Sequence, residues 1–481
     1  MTGSSPTHTG EPTSSMTRSK VSAGWFDCSV TGEIVTLGRY AHAMTLRAVV
    51  LSIGDELTLG QIAERNAGWI AQEFLRHGAL VFEHRTVRDD RSHIAAGIVE
   101  LARKAEIVMV TGGLGPTEDD LTREALADAL GGVELVKDDA AVLALRSRFE
   151  DRGRPMPPSN AKQALRPVNA TCIANPNGSA PGLMVRLGGA LVVCLPGPPN
   201  EMKSMVVATI LPLLDAMVEA SGGKALATCA IHSCGLPESI AAERIRELMD
   251  RSANPVAGTT ASGAVVTARI RAVDAAAIDG SFDRAVREVE RAWAPYVFGR
   301  DGITLAESLG EILRRSNDRV AVAESCTGGG IGSYFTSAAG SSEWFAGGWI
   351  TYSNELKTQM LGIAPELIGE HGAVSEQVAC AMALGAAVRA QTRLAVSVTG
   401  IAGPGGGTTD KPVGSVWIAV ADLSEQDARK RVRSRSFQFA GDRETVRERT
   451  SRVAAQLVRL VAIGEPDVPV FWEVPRGKGG S

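Results

Sequence analysis

The chain lacks any Cys-x-x-Cys pair, any apolar run long enough to cross a bilayer and any excess of positive charge. Each absence removes a class of protein. The seven cysteines, at positions 28, 172, 194, 229, 234, 326 and 380, are odd in number and scattered. That distribution speaks against a disulfide framework or a structural zinc site and fits a reducing, cytoplasmic setting. No stretch approaches the ~20 apolar residues of a membrane span, so no membrane role is expected. With 50 Lys and Arg against 54 Asp and Glu, the formal charge is −4 and no global basic field favours nucleic acid. The first residues are polar and lack an apolar h-region, which excludes a secretory signal. Residues 1–45 are expected to be a disordered extension, with Met44 a second candidate start.

What is present is globular: 44% hydrophobic and 22% charged residues over 481 positions. At ~150 residues per domain, this length suggests about three domains. Pattern divides the chain the same way. From 46 to 220, apolar β-branched runs (Arg47–Ile53, Leu80–His84, Glu106–Val110, Ala190–Leu195) alternate with helical segments. Such alternation predicts a buried parallel sheet in a doubly wound α/β domain. Ser221-Gly222-Gly223 predicts a linker, and 221–300 a small α+β module. The span 301–465 predicts a second α/β unit with helices at Thr304–Arg315, Glu376–Arg389 and Arg443–Leu460. Residues 466–481 are Pro/Gly-rich and are expected to fray.

In the third unit two Gly-rich turns each follow an apolar strand: Glu324-Ser325-Cys326-Thr327-Gly328-Gly329-Gly330, and Thr399-Gly400 through Gly407. In open α/β sheets ligands bind beyond the carboxyl ends of strands. Free amides and the helix dipole at such a turn favour an anion or an oxyanion. Between the turns lie Gly340-Ser341-Ser342 and Thr351-Tyr352-Ser353-Asn354-Glu355-Leu356-Lys357, a set able to transfer protons without metal. Cys326 is a rival nucleophile, with His371 its one candidate base in the domain.

The segments ESCTGG, AAGSSEWF, TYSNELK, EHGAVSEQVA, VTGIAGPGGG and KPVGSVWIA together resemble the carboxy-terminal domain of the CinA family, the nicotinamide-nucleotide amidases. The resemblance implies hydrolysis of nicotinamide mononucleotide to nicotinic acid mononucleotide and ammonia, with no cofactor. It marks Ser325, Ser342, Tyr352, Lys357, Thr399 and Arg443 as the active-site set. Within that set Ser342, ahead of Ser325, is expected to be the nucleophile or to orient water. Tyr352 and Lys357 are expected to form the proton-transfer pair. Thr399, Gly400, Gly403, Gly405 and Gly406 would grip the nucleotide, Thr327 and Gly328 would flank the anion seat, and Arg443 would anchor a phosphate or carboxamide.

In the first domain Thr111-Gly112-Gly113-Leu114-Gly115-Pro116-Thr117-Glu118-Asp119-Asp120 follows a strand. Glycines let amides face a phosphate, and the acidic residues can hold a hard cation. Supporting groups are Gly54-Asp55-Glu56, Asp89-Asp90, Ser159 to Gln163 and Pro196 to Glu201. SIGDELTLGQ, GGLGPTEDDLT, SNAKQA and LPGPPNEMK resemble the amino-terminal domain of the same family, which has a MoaB/Mog-like molybdopterin-binding fold. That resemblance implies an ADP-ribose pyrophosphatase dependent on a divalent metal ion and potassium. Gly112, Gly113, Gly115, Thr117, Asn160 and Lys162 would contact substrate, and Glu56, Asp119 and Asp120 the metal. Fold alone equally suggests molybdopterin binding.

The middle module resembles a KH-type module through Gly235-Leu236-Pro237-Glu238, but it has no G-x-x-G clamp. A spacer or dimer-forming role is expected rather than RNA binding. A homodimer is expected by resemblance. The alternative to an enzyme is a competence- or damage-response binding protein.

Overall fold

The computed structural model describes residues 46–151, 153–221, 226–427 and 431–475. The expected extension 1–45, the glycines of the 221–223 linker and residues 476–481 lie outside the described residues.

The first domain is built on strands β1 (Leu46–Ile53), β2 (Ala79–Val87), β3 (Ile107–Thr111), β4 (Thr171–Ile173), β5 (Gly182–Leu187) and β6 (Ala190–Leu195). The sheet order is β2-β1-β3-β6-β5-β4. β1 pairs in parallel with β2 and β3, and β3 with β6. All of β3 and β6 is buried, as near-continuous apolar runs require when helices cover both faces. The sheet is not wholly parallel. β5 and β4 return antiparallel as a hairpin extension, which the period of their short sequences does not reveal.

The middle module is a four-stranded sheet of β7 (Leu226–Cys234), β8 (Val256–Ser262), β9 (Val265–Val273) and β10 (Val297–Arg300), in order β8-β9-β7-β10. β8 forms a hairpin with β9, and its last residues are exposed and polar.

The third domain carries β11 (Val320–Glu324), β12 (Phe345–Ile350), β13 (Leu394–Gly400), β14 (Ser415–Asp422) and β15 (Val432–Gln438), in order β12-β11-β13-β14-β15. β12, β11 and β13 run parallel, while β14 and β15 are antiparallel. Alternation along β11 splits the core. Val320 and Val322 join a cluster that includes Leu309 of α1 (Leu305–Ser316) and Val458 of the long last helix Arg443–Ala462. Ala321 and Ala323 pack on the other face against Met382 and Ala386 of the helix Glu376–Ala390. Among the described residues no helix is long and apolar enough to cross a membrane.

The tail does not fray over its described part. Val474 N donates to Ser436 O at 2.8 Å, Phe471 N to Gly235 O at 2.9 Å, and Tyr296 Oη to Pro469 O at 2.9 Å. Val470 is buried in a cluster with Cys234, Ala264 and Phe298. Residues 466–475 therefore fasten the middle module to the third domain. Val470→Ala is expected to cost about 2 kcal/mol of stability through the cavity it leaves. An unchanged thermal unfolding midpoint would show that the tail packs on nothing.

Candidate active sites

Ser325 follows β11 directly, and its N–H donates to Val398 O at 3.1 Å. Lys357 lies on α2 (Asn354–Leu361), whose start is capped by the Ser353 side chain. Its Nζ is 3.3 Å from Ser325 Oγ, and it donates to the carbonyls of Thr351 at 2.9 Å and Tyr352 at 3.3 Å. Lys357 is only 1% exposed, and burial pulls its ammonium below the ordinary value of 10.5. A buried lysine with a depressed pKa beside a serine hydroxyl is an arrangement that can activate the serine.

Ser342 is not part of this pair. It sits in the one-turn segment Ser341–Glu343 before β12, where Val320 N donates to Trp344 O at 2.9 Å and Glu343 pairs with Arg314 at 3.3 Å. That is the amino end of the parallel strands. At ~3.3 Å per residue along β11, Ser342 lies roughly 16 Å from Ser325. Within the chain, Lys357 therefore meets Ser325 and not Ser342, against the expected order of the two serines.

Tyr352 and Lys357 are not a side-chain proton pair either. The exposed Tyr352 Oη accepts from Arg443 Nη2 at 3.2 Å, and Tyr352 meets Lys357 only through its carbonyl. Arg443 also donates to Gly403 O at 2.8 Å, which ties the second Gly-rich turn to Tyr352. Thr399 is buried beside Ser325, and its hydroxyl donates to Ala373 O at 2.7 Å. Gly400 serves strand packing, since a Cβ there would meet Ser415 O at 2.7 Å. Gly405 and Gly406 lie exposed in the loop.

The anion seat after β11 is filled from within. The buried Glu324 carboxylate accepts from Thr327 Oγ1 at 2.7 Å, Gly329 N at 3.0 Å, Ile331 N at 3.0 Å and Gly332 N at 2.8 Å. Gly328 N donates to Ser325 O. Thr327 and Gly328 thus shape the turn that carries Ser325, and the helix-start amides expected for an external anion are committed. Cys326 is no rival: its thiol is packed in the core, and burial pushes its pKa up to about 12. Sequence reasoning missed Arg447, whose Nε and Nη2 both donate to Thr327 O, at 3.1 and 2.8 Å. Its spacing of four from Arg443 on one helix was the available signal.

The first domain holds a cavity of about 380 Å³ at the carboxyl ends of β1, β3 and β6. Gly112, Gly113, Gly115, Glu56, Asp89, Asp119, Asp120, Gln163 and Glu201 are among its lining residues. Gly112 and Gly113 have φ of 107° and 65°, and a Cβ on Gly112 would strike Ile53 O. Here too a carboxylate of the chain takes the turn's amides. Asp120 accepts from Gly115 N at 2.7 Å and from Thr117 N at 2.8 Å, and also from the Thr117 hydroxyl. Gly112 N donates to Leu195 O.

Asp120 is therefore a brace. Among the described residues no three His, Cys, Asp or Glu side chains form a ready metal group, so the trio Glu56, Asp119 and Asp120 is not assembled. Asp89 lines the cavity directly. Burial raises its pKa, and the neighbouring Glu56, Asp55 and Asp119 carboxylates raise it further. Asn160 and Lys162 stand behind the turn, Asn160 donating to Gln163 Oε1 at 2.9 Å and Lys162 to Thr117 O at 3.0 Å. Gln163 is the member of that segment that reaches the cavity.

Fold and sites define a three-module protein: a molybdopterin-fold domain, a KH-like module and a third α/β domain with a buried Ser–Lys pair. Three family models match in that order: a probable molybdopterin binding domain over residues 49–216, the damage-inducible protein CinA KH domain over 229–299, and the CinA C-terminal domain over 303–462. The chain is 40% identical over 426 residues to a CinA-like protein of Citrifermentans bemidjiense, covering 88% of this chain and 99% of that one. It is 41% identical over 405 residues to a CinA-like protein of Geobacter sp. strain M21, covering 84% and 94%. Among solved structures, the competence/damage inducible protein CihA of Agrobacterium tumefaciens is 37% identical. It covers 34% of this chain and 97% of that one, with a TM-score of 0.31. The chain belongs to the CinA family.

The filled anion seat makes a stability prediction. Glu324→Gln places an amide NH₂ against backbone donors, and it should cost about 3 kcal/mol. Urea unfolding with an unchanged midpoint would refute the carboxylate's role.

Proposed function

We propose that the third domain is a serine–lysine amidase that deamidates nicotinamide mononucleotide. The 3.3 Å contact between the buried Lys357 Nζ and Ser325 Oγ carries the proposal. Neutral Lys357 accepts the Ser325 proton as Oγ bonds to the carboxamide carbon. The C–N bond then breaks, and the Lys357 ammonium returns the proton to the leaving nitrogen, which departs as ammonia. Water next attacks the acyl-serine, giving a proton to Lys357, which passes it to Ser325 Oγ as the ester bond breaks and the acid product leaves. The Thr351, Tyr352 and Ser353 carbonyls around Nζ stabilise the transient ammonium. Arg443, on an exposed rim beside Tyr352, suits the nucleotide phosphate.

Ammonia release from nicotinamide mononucleotide is the direct test. Ser325→Ala and Lys357→Met should lose at least 1,000-fold in kcat, whereas Ser342→Ala and Cys326→Ala should stay within threefold. Equal loss in Ser342→Ala would restore that serine. Only the neutral amine accepts a proton, so kcat/KM should rise with pH and reach half its plateau below 10.5, the ordinary lysine value from which Lys357 is lowered. A profile flat across that range would remove Lys357 as base.

In the first domain, the acidic, glycine-lined cavity adjoins a second cavity of about 530 Å³ that shares Ile53, Glu56 and Gly197. Two joined chambers of this kind suit a dinucleotide-like diphosphate, and metal-dependent ADP-ribose pyrophosphatase activity is the companion proposal. A hard cation of the magnesium type takes one or two carboxylates and completes its shell with phosphates and water. Glu56 and Asp89 fit that demand, and repulsion among their charges favours a cation. When bound, the divalent ion would neutralise phosphate charge and activate water, and potassium belongs to the same companion proposal. AMP release from ADP-ribose with magnesium and potassium should fall at least 100-fold in Glu56→Gln. Undiminished release would remove Glu56 from the site.

A further inference from the structure

Ala323 of β11 pairs with Trp349 of β12 on one side and Ser397 of β13 on the other. Two residues further on, alternation returns to the same face, so Thr351, Ser325 and Thr399 form one row of hydroxyls across three parallel strands. Their environments differ. The Thr399 hydroxyl is committed to Ala373 O, and Ser325 Oγ faces Lys357. Thr351 is 0% exposed, and its Oγ1 has no hydrogen-bond partner. Its backbone is held on both sides of that hydroxyl, with N–H donating to Glu324 O at 2.8 Å and carbonyl accepting from Lys357 Nζ at 2.9 Å.

A buried hydroxyl without a partner lowers stability, and an isosteric valine would relieve the penalty. Retention of the hydroxyl beside a nucleophile calls for a partner that arises during reaction. Neighbouring strands lie about 4.8 Å apart, so the Thr351 and Ser325 side chains stand side by side on that face.

We propose that Thr351 is a further catalytic residue, whose hydroxyl donates to Ser325 Oγ as that oxygen passes its proton to Lys357. The role rests on the serine–lysine assignment, but not on the identity of the amide. No proton leaves Thr351; its hydrogen bond stabilises the charge developing on Oγ while Lys357 becomes the ammonium.

The test uses the full chain, its Thr351→Val and Thr351→Ser variants, and a fluorophosphonate probe. The probe forms an O–P bond at Ser325 and releases fluoride. Labelling rate, ammonia release from nicotinamide mononucleotide and thermal midpoint are read together. Thr351→Val should label at least tenfold more slowly, with an equal or higher midpoint and the same pH half-point. Thr351→Ser should recover labelling to within threefold of the parent. Parent-like labelling of Thr351→Val would overturn the proposal. So would slower labelling accompanied by a lowered midpoint, because the hydroxyl would then have a structural partner. Failure of Ser325 to label in the parent would remove the nucleophile and Thr351's role together. Labelling without ammonia would remove only the substrate assignment and leave the Thr351 comparison intact.

Discussion

The Glu324 carboxylate organises the third domain's site. The strand-to-helix turn after β11 presents more N–H donors than it has backbone acceptors, and Glu324 gathers three of them together with the Thr327 hydroxyl. An ionised acceptor makes stronger hydrogen bonds than a neutral one, and a helix start favours negative charge. The turn is therefore rigid from inside, and Ser325 leaves the strand in one direction, toward Lys357. Arg447 pins the same turn from outside through the Thr327 carbonyl.

The first domain repeats the device with different residues. Asp120 ties down the amides of Gly115 and Thr117, as Glu324 does those of the other turn. In both domains a Gly-rich turn that reads as a phosphate cradle is closed by the chain's own carboxylate. What remains for a ligand differs. One site offers a hydroxyl and an amine with displaced proton affinity. The other offers carboxylates crowded around a cavity, suited to an anion only when a cation comes with it. The two chemistries follow from which side chains the closed turns leave over.

The three-body organisation was legible because apolar period and length are local properties. The runs at β1, β3, β6 and β11 announce buried strands, and the long helix Arg443–Ala462 announces itself by its amphipathic repeat. Some antiparallel strands were not legible. β4, β5, β8 and β10 are each only partly buried, so pairing partners rather than their own residues make them strands. The tail misled for a related reason. Its Pro and Gly content suggests fraying, yet Val470 and the backbone around it find acceptors and a core supplied by residues far away in sequence.

The sequence by itself determined which residue types could do chemistry and which turns carry them, because a motif is a local arrangement of residue types. Only the tertiary structure decided which serine meets the lysine. Ser342 is nearer to Lys357 along the chain and Ser325 farther, but parallel strands share one carboxyl edge. The crossover through Gly330–Thr336 therefore returns the chain to the amino edge at Ser342, and β12 then carries it back to the reactive edge at Thr351. Proximity at that edge is a property of the sheet, and the order of residues along the chain does not contain it.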